Sequence, residues 1–242
     1  EGKRSLSMHI DHFIAEMERI APPELAEEFD EQRIGLIVEG KKDIHSVCCA
    51  LDATPSVVES AAAQGADALV VHHTPIWEPI TRLDGYHATL LKLLLSSDMN
   101  LYVMHTNFDR AQGGVNDALG ELLGLQDIRR MSLGICGTCT LPLEAMVHRL
   151  NGGVRVFGTI SSLECLAVVG GSGFDRELIN EAYHMGADAF LSAELKHAVM
   201  RVSPLPLIEA THYTLEAPAM RMLADRMGWE FIDDPPTVHM LQ

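Results

Sequence analysis

Three segments of this chain set histidines and carboxylates close together, each just after an apolar run. In Val70-Val71-His72-His73-Thr74-Pro75 two adjacent imidazoles follow the run directly. Met104-His105-Thr106-Asn107-Phe108-Asp109 offers one imidazole and a carboxylate, and Ala210-Thr211-His212-Tyr213-Thr214-Leu215-Glu216 offers the same pair of groups. Imidazole nitrogen with carboxylate oxygen suits zinc, manganese, iron, cobalt or nickel, and argues against a thiolate cage. Five such ligands, His72, His73, Asp109, His212 and Glu216, could hold two divalent ions and still leave positions open for water, as catalytic sites do. His105 stands beside them without being needed as a ligand. It could shuttle a proton to a leaving group, or it could orient Asp109.

Each segment also has a plain reading. Adjacent histidines on extended backbone point to opposite sides, so the pair could serve two ions, or one could bind while the other packs. The glycine-rich stretch Gly113-Gly114-Val115-Asn116-Asp117 reads as a tight loop before a helix over 118–123, with Asn116 or Asp117 as its cap. Thr214 reads as the N-cap of the last helix, which places Glu216 and Pro218 in its first turn, where a carboxylate complements the dipole.

The elements that must position these residues are written twice. A strand over 47–51, a turn at 52–55, a helix over 56–64 closed by Gly65, and a strand over 68–71 make the first copy. A strand over 166–169, the turn Gly170-Gly171-Ser172-Gly173, a helix over 174–185 closed by Gly186, and a strand over 188–191 make the second. Gly-Ala-Asp-Ala occurs at Gly65 and again at Gly186, an offset of 186 − 65 = 121 residues, and Asp52 and Gly173 keep the same offset. Each copy continues into a further strand, over 100–104 and 206–210. Alternating strands and helices predict an α/β fold of two similar lobes with mostly parallel sheets. In such sheets ligands bind at the carboxyl ends of strands, which is where His72, His73, His105 and His212 fall. The lobes divide at 8–130 and 131–242, and residues 1–7, which precede Met8, are set aside as a remnant of cloning.

Beyond spacing, several motifs resemble one family. Val71-His-His-Thr-Pro-Ile-Trp77, His105-Thr-Asn-Phe-Asp109 with Gly113-Gly-Val-Asn-Asp117, Gly170-Gly-Ser-Gly173 and His212-Tyr-Thr-Leu-Glu216 are similar, in order, to the signature segments of the Nif-three-like family, the GTP cyclohydrolase I type 2 homologs. The resemblance runs from about Ile34 to Trp229. It implies two intertwined α/β lobes in the short form of the fold, without the domain that some relatives insert between them. It also implies a dinuclear site, with His73 and Asp109 on one ion, His72 and His212 on the other and Glu216 bridging, and a toroidal homo-hexamer. The chain departs from the family pattern at Phe29-Asp30-Glu31, where Trp-Asp-Asn is usual, at Thr74, which separates the histidine pair from Pro75, and at Ala193-Glu-Leu-Lys-His197, which keeps part of a Gly-Glu/Asp-x-Lys-x-His pattern.

Composition narrows the function further. With 18 basic and 34 acidic residues the formal charge is −16, and aromatics are 5% of the chain, so nucleic acid is disfavoured as a partner. No apolar run is long enough to span a membrane and no signal peptide is recognised, so a cytoplasmic setting is expected. Five cysteines, an odd number, fit reduced thiols. Cys136-Gly-Thr-Cys139 is spaced like half a zinc or redox motif, but it lacks a second pair and reads as a structural turn with two incidental thiols. Gly170-Gly-Ser-Gly173 could cradle a phosphate or be only the turn of the repeat. The sequence therefore points to a metal-dependent hydrolase acting on a small molecule such as a nucleotide, with a non-catalytic metal-binding regulator or scaffold as the alternative.

Overall fold

The glycines that close the repeated helices act alike in both halves. Gly65 and Gly186 adopt positive φ, +71° and +83°. The N–H of the next residue then reaches back to cap a helix carbonyl: Ala66 to Ala61 and Ala187 to Ala182, both at 3.0 Å. The aspartate two residues past each glycine is matched as well. Asp67 accepts the N–H groups of His45 at 2.8 Å and Ser46 at 3.2 Å, and Asp188 accepts those of Glu164 and Cys165, both at 2.9 Å. Each carboxylate thus ties the entry of its lobe's second strand to the entry of the first.

The structure, a computed structural model, describes residues 7–238. The segment expected to be a cloning remnant lies outside them apart from Ser7. In chain order the elements are β1 (Met8–His9), α1 (Ile10–Ile20), β2 (Gly35–Val38), β3 (Asp43–Ile44), β4 (Val47–Asp52), α2 (Pro55–Ala63), β5 (Ala68–His73), α3 (Gly85–Ser96), β6 (Asn100–Val103), α4 (Thr106–Arg110) and α5 (Val115–Leu123). There follow β7 (Gln126–Arg130), β8 (Ile135–Thr138), α6 (Leu143–Leu150), β9 (Arg155–Phe157), β10 (Cys165–Val168), α7 (Arg176–His184), β11 (Ala189–Ser192), α8 (His197–Met200), β12 (Leu207–Glu209), α9 (His212–Met227) and β13 (Glu230–Phe231). The described residues form two compact units, one of residues up to Gln112 with Met220–Pro235, the other of Gly113–Ala219 with the residues from Pro236. The chain therefore leaves the first unit and returns to it within α9.

In the first unit a five-stranded sheet has the order β13-β4-β5-β6-β2, with β13, β4, β5 and β6 parallel and β2 antiparallel at the edge. One of its faces packs Ala50, Leu69, Val71 and Leu101 against Val57, Val58 and Ala61 of α2 and Leu90 and Leu94 of α3. In the second unit a six-stranded sheet has the order β7-β8-β10-β11-β12-β9; β10, β11 and β12 are parallel, and β7, β8 and β9 run antiparallel to their neighbours. Leu166, Val168 and Leu191 face one core layer with Leu119 and Leu123 of α5, whereas Ala167, Val169 and Phe190 face another with Ile179 and Ala182 of α7. Burying each such leucine or valine contributes about 1.5–3 kcal/mol.

Three helix starts differ from expectation. α7, expected from 174, starts at Arg176, with the Asp175 side chain capping it by accepting the Glu177 N–H. α5 begins three residues earlier than 118, with Gly114 at its N-cap and no side chain capping it. Asn116 lies inside its first turn, and its side-chain oxygen instead accepts the Gly170 N–H at 2.9 Å; Asp117 turns back to the Gly113 N–H at 2.7 Å. The last helix starts at His212, so Thr214 is not its cap. Thr211 takes that place, its hydroxyl accepting the Thr214 N–H at 3.3 Å. Pro218 is then an interior residue and Glu216 sits in the second turn. Both threonines are chemically competent caps, and packing decided between them.

Candidate metal centre

In the first unit β4, β5 and β6 run parallel, so their carboxyl ends share one edge of the sheet, and the three histidines of that unit follow there. β5 ends at His73, which is the ladder partner of Asp52 at the end of β4. His72 is fully buried, and its Nδ1 lies 2.8 Å from the Met104 carbonyl. A carbonyl can only accept, so Nδ1 carries the proton and Nε2 presents a lone pair. That Nε2 is 3.5 Å from Oδ1 of Asp109. His73 Nδ1 lies 2.7 Å from Asp52. The rings of His72 and His73, expected on opposite sides, have centroids 4.8 Å apart although both residues lie within β5. His105 completes the group: one ligand atom from each of His72, His73 and His105 lies within 4.8 Å of the others.

His105 is held by a residue far away in sequence. Both carboxylate oxygens of Asp30 are 2.9 Å from its Nδ1. The Asp30 side chain is fully buried at the end of a single 3-10 turn, Glu28–Asp30, and also accepts from the N–H and hydroxyl of Thr106. Burial alone would raise its carboxyl, but the bonds from His105 and Thr106 outweigh it and hold the group below the ordinary value. Asp30 therefore stays ionised and fixes the His105 tautomer. The carboxylate that this ring engages is Asp30, not Asp109.

Around His105 stand two exposed aromatic rings. Phe29 is 51% and Trp77 47% exposed, their centroids are 6.1 Å apart, and Trp77 meets the His105 ring edge-on at 5.9 Å. Arg33 pins both: it donates to the backbone carbonyls of Trp77, at 2.7 Å, and of Phe29, and its guanidinium lies 4.8 Å over the indole. Large aromatic side chains left in solvent beside polar groups mark a place where something planar can stack.

In the second unit the earlier start of α9 puts His212 and Glu216 one turn apart on one face. Nε2 of His212 is 2.9 Å from a carboxylate oxygen of Glu216, and its Nδ1 is 2.8 Å from Glu194, just past β11. With Nδ1 donating to Glu194, two lone pairs meet at 2.9 Å, an arrangement that needs a proton or a cation between them. Glu216 is buried. Against it lies Gly171, with φ +67°; a Cβ there would stand 2.2 Å from Oε1 of Glu216 and 3.3 Å from Nε2 of His212. The glycine turn is thus needed for close approach to the carboxylate. As for a phosphate cradle, the N–H groups of Gly170 and Gly173 are not on offer, being taken by Asn116 and by Ser192, at 2.9 and 2.8 Å.

A sequence model of the DUF34/NIF3 family (NGG1p interacting factor 3) matches residues 8–237. The chain belongs to the DUF34/NIF3 family. Among its relatives, a GTP cyclohydrolase 1 type 2 homolog of Streptomyces coelicolor is 30% identical over 96% of this chain and 94% of that protein. Another from Pyrococcus abyssi is 32% identical over 85% and 91%. Among solved structures, reduced HcgD from Methanocaldococcus jannaschii is similar with a TM-score of 0.80 and 28% identity, covering 94% of this chain and 98% of that one. TTHA1606 from Thermus thermophilus is similar with a TM-score of 0.79 and 27% identity, covering 96% and 100%.

In this NIF3-family chain the first unit gathers His72, His73, His105 and Asp109, and the second gathers His212 and Glu216. Sequence reasoning missed the groups behind the imidazoles. In the sequence Asp52 falls in a turn, and Glu194 and Asp30 fall only in departures from the family pattern. His197 itself is exposed at the start of α8. For Asp52 a signal was present, because parallel register sets it opposite His73; for Asp30, 75 residues from His105, spacing holds none.

Proposed function

We propose that this protein binds a pair of divalent metal ions through His72, His73 and Asp109 of the first unit and His212 and Glu216 of the second. On this reading it hydrolyses a nucleotide or related small molecule. One observation carries it: His72, His73, His105 and His212 each commit Nδ1 to a carbonyl or carboxylate and present Nε2. That is how metal-binding imidazoles are oriented and made more basic. The donor set, imidazole with carboxylate, fits zinc, manganese, iron, cobalt or nickel. Such ions supply Lewis acidity and make water acidic enough to react at neutral pH.

The chain's own residues then have distinct tasks. Asp30 holds His105 with Nε2 ready to accept or deliver a proton, the role of a general acid–base. Phe29 and Trp77 stack a planar ring beside it, with Arg33 fixing both walls, which favours a heteroaromatic substrate. The relatives' name, GTP cyclohydrolase 1 type 2 homolog, is consistent with that class. No helix among the described residues is long and apolar enough to cross a membrane, in keeping with a small-molecule enzyme of the cytoplasm. The family resemblance further supports self-association into a hexamer, which light scattering checks directly.

The test is turnover of a panel of nucleotides and phosphoesters by zinc- and manganese-loaded protein. Metal-dependent hydrolysis that disappears in His73→Ala and Glu216→Ala, and in His105→Ala with metal content unchanged, is expected. Stoichiometric metal with no turnover across the panel would contradict the hydrolase and leave a metal-binding scaffold.

A further inference from the structure

Away from the candidate centre, three chain segments of the second unit bring two thiols and a cation together. Cys136 on β8 is the ladder partner of Ala167 on β10, and Cys165 at the start of β10 is the partner of Thr138. The cysteines are therefore diagonal neighbours on one face of an antiparallel pair, where long side chains can meet. Their sulfurs are 3.2 Å apart. Arg129, opposite Cys136 on β7, holds a guanidinium nitrogen 3.6 Å from each sulfur. Cys136 is buried and Cys165 partly exposed. Cys139, the expected companion of Cys136, lies three residues on and points to the other side of the sheet, where it packs with Leu166 and Val168 and contacts the Leu141 carbonyl at 3.6 Å. The Cys-Gly-Thr-Cys spacing was therefore incidental, and the close partner comes from the neighbouring strand.

We infer that Cys136 and Cys165 form an oxidisable dithiol that a hydroperoxide converts into a disulfide. The partly exposed Cys165 is the attacking sulfur: peroxide can reach it, and the Arg129 guanidinium stands beside it, the kind of exposed and electropositive setting that reactive cysteines have. Its electron pair forms an S–O bond with one peroxide oxygen as the O–O bond breaks. The departing hydroxide takes the proton that Cys165 lost and leaves as water, giving a sulfenic acid on Cys165. Cys136 then attacks that sulfur. The S–S bond forms, the S–O bond breaks, and hydroxide leaves with the Cys136 proton as a second water. Two thiols lose two electrons and one hydrogen peroxide is reduced to two waters.

The division of roles follows from exposure: peroxide reaches the partly exposed Cys165 first, whereas Cys136 is buried behind it and can attack only the oxidised sulfur in contact with it. Burial raises the Cys136 thiol above its ordinary value. Cys49 is fully buried, and burial raises its thiol well above the ordinary value. The sulfurs stand little more than about 1 Å beyond the bond length of about 2.0 Å.

The experiment treats the native full-length protein with hydrogen peroxide, blocks remaining thiols, and maps peptides without reduction. A Cys136–Cys165 cross-linked peptide that dithiothreitol releases is expected, with Cys48, Cys49 and Cys139 still alkylated. In Cys136→Ser a sulfenic acid on Cys165 is trapped by dimedone, and Arg129→Gln, which removes the cation beside both sulfurs, slows oxidation roughly 3–10-fold. A wild-type map in which both cysteines stay as alkylatable as Cys139, or in which the disulfide joins Cys139, overturns the inference. That map needs no variant to fold.

Discussion

The two lobes repeat a scaffold but not a chemistry. At an offset of 121 residues Gly65 matches Gly186, Asp67 matches Asp188, and their capping and strand-entry hydrogen bonds correspond. At the same offset, around the carboxyl ends of the strands, His73 in the first lobe corresponds to Glu194 in the second, and Asp52 to Gly173. His73 takes its supporting carboxylate from the neighbouring strand; Glu194 is itself the supporting carboxylate, for an imidazole on α9. Positions that hold backbone together have kept their residues, and positions at the carboxyl edge of the sheet have diverged. A duplicated α/β unit can therefore be read for its frame from either copy, but the residues at its strand ends must be read in each copy separately.

The largest expected effect breaks the second lobe alone. In Gly171→Ala a side chain enters a left-handed conformation against Glu216, which costs about 1–2 kcal/mol for the backbone before any overlap is counted. Metal bound by this variant, measured by titration, is expected to fall by about 100-fold or more. Next come Asp52→Asn and Glu194→Gln, which remove matching carboxylates from behind His73 and His212. Each is expected to weaken metal binding about 10–100-fold with little change in thermal stability. If only one of them did so, the lobes would not contribute equally.

Smaller effects test the shared frame. Burial would raise the carboxyl of Asp67, but the Lys41 ammonium and the amides of His45 and Ser46 bring it below its ordinary value. Its contribution to stability is complete above the unfolded value near about 3.9 and is lost as pH falls through the lower folded value. Asp67→Asn should cost about 1–3 kcal/mol at neutral pH and flatten the acid limb of a denaturation-against-pH curve. Asp188→Asn should cost less, about 1 kcal/mol, because Asp188 is more exposed and the bonds found for it are both to amides. Smallest at the metal site, and equal to each other in stability, should be Gly65→Ala and Gly186→Ala, which cost about 1–2 kcal/mol each by chemical denaturation. Both glycines have positive φ, with nothing within 4 Å of an added Cβ, so metal binding is expected to stay intact.

The frame was legible in the sequence because it is made by local rules: periodic apolar runs, helix-closing glycines and a repeated tetrapeptide. The imidazoles and carboxylates at the strand ends were legible for the same reason, since a parallel sheet presents its carboxyl edge to ligands. What supports them was not. Asp30 reaches His105 across 75 residues, Arg33 reaches the Trp77 carbonyl across 44, and Cys136 meets Cys165 across 29. These pairings are chosen by tertiary packing, which leaves no trace in spacing. The start of α9 shows the same limit on a smaller scale. Thr211 and Thr214 are equally good caps by chemistry, and only the folded chain shows that choosing Thr211 sets His212 and Glu216 on one helical face.

The most direct measurement is the metal content of protein purified without added metal or an imidazole column, by plasma mass spectrometry, for the wild type, His72→Ala and His212→Ala. About two divalent ions per wild-type chain, reduced by either substitution, is the expected result. A wild type that carries no stoichiometric metal and takes up none on titration with zinc, manganese or iron would contradict a two-ion site built from both lobes.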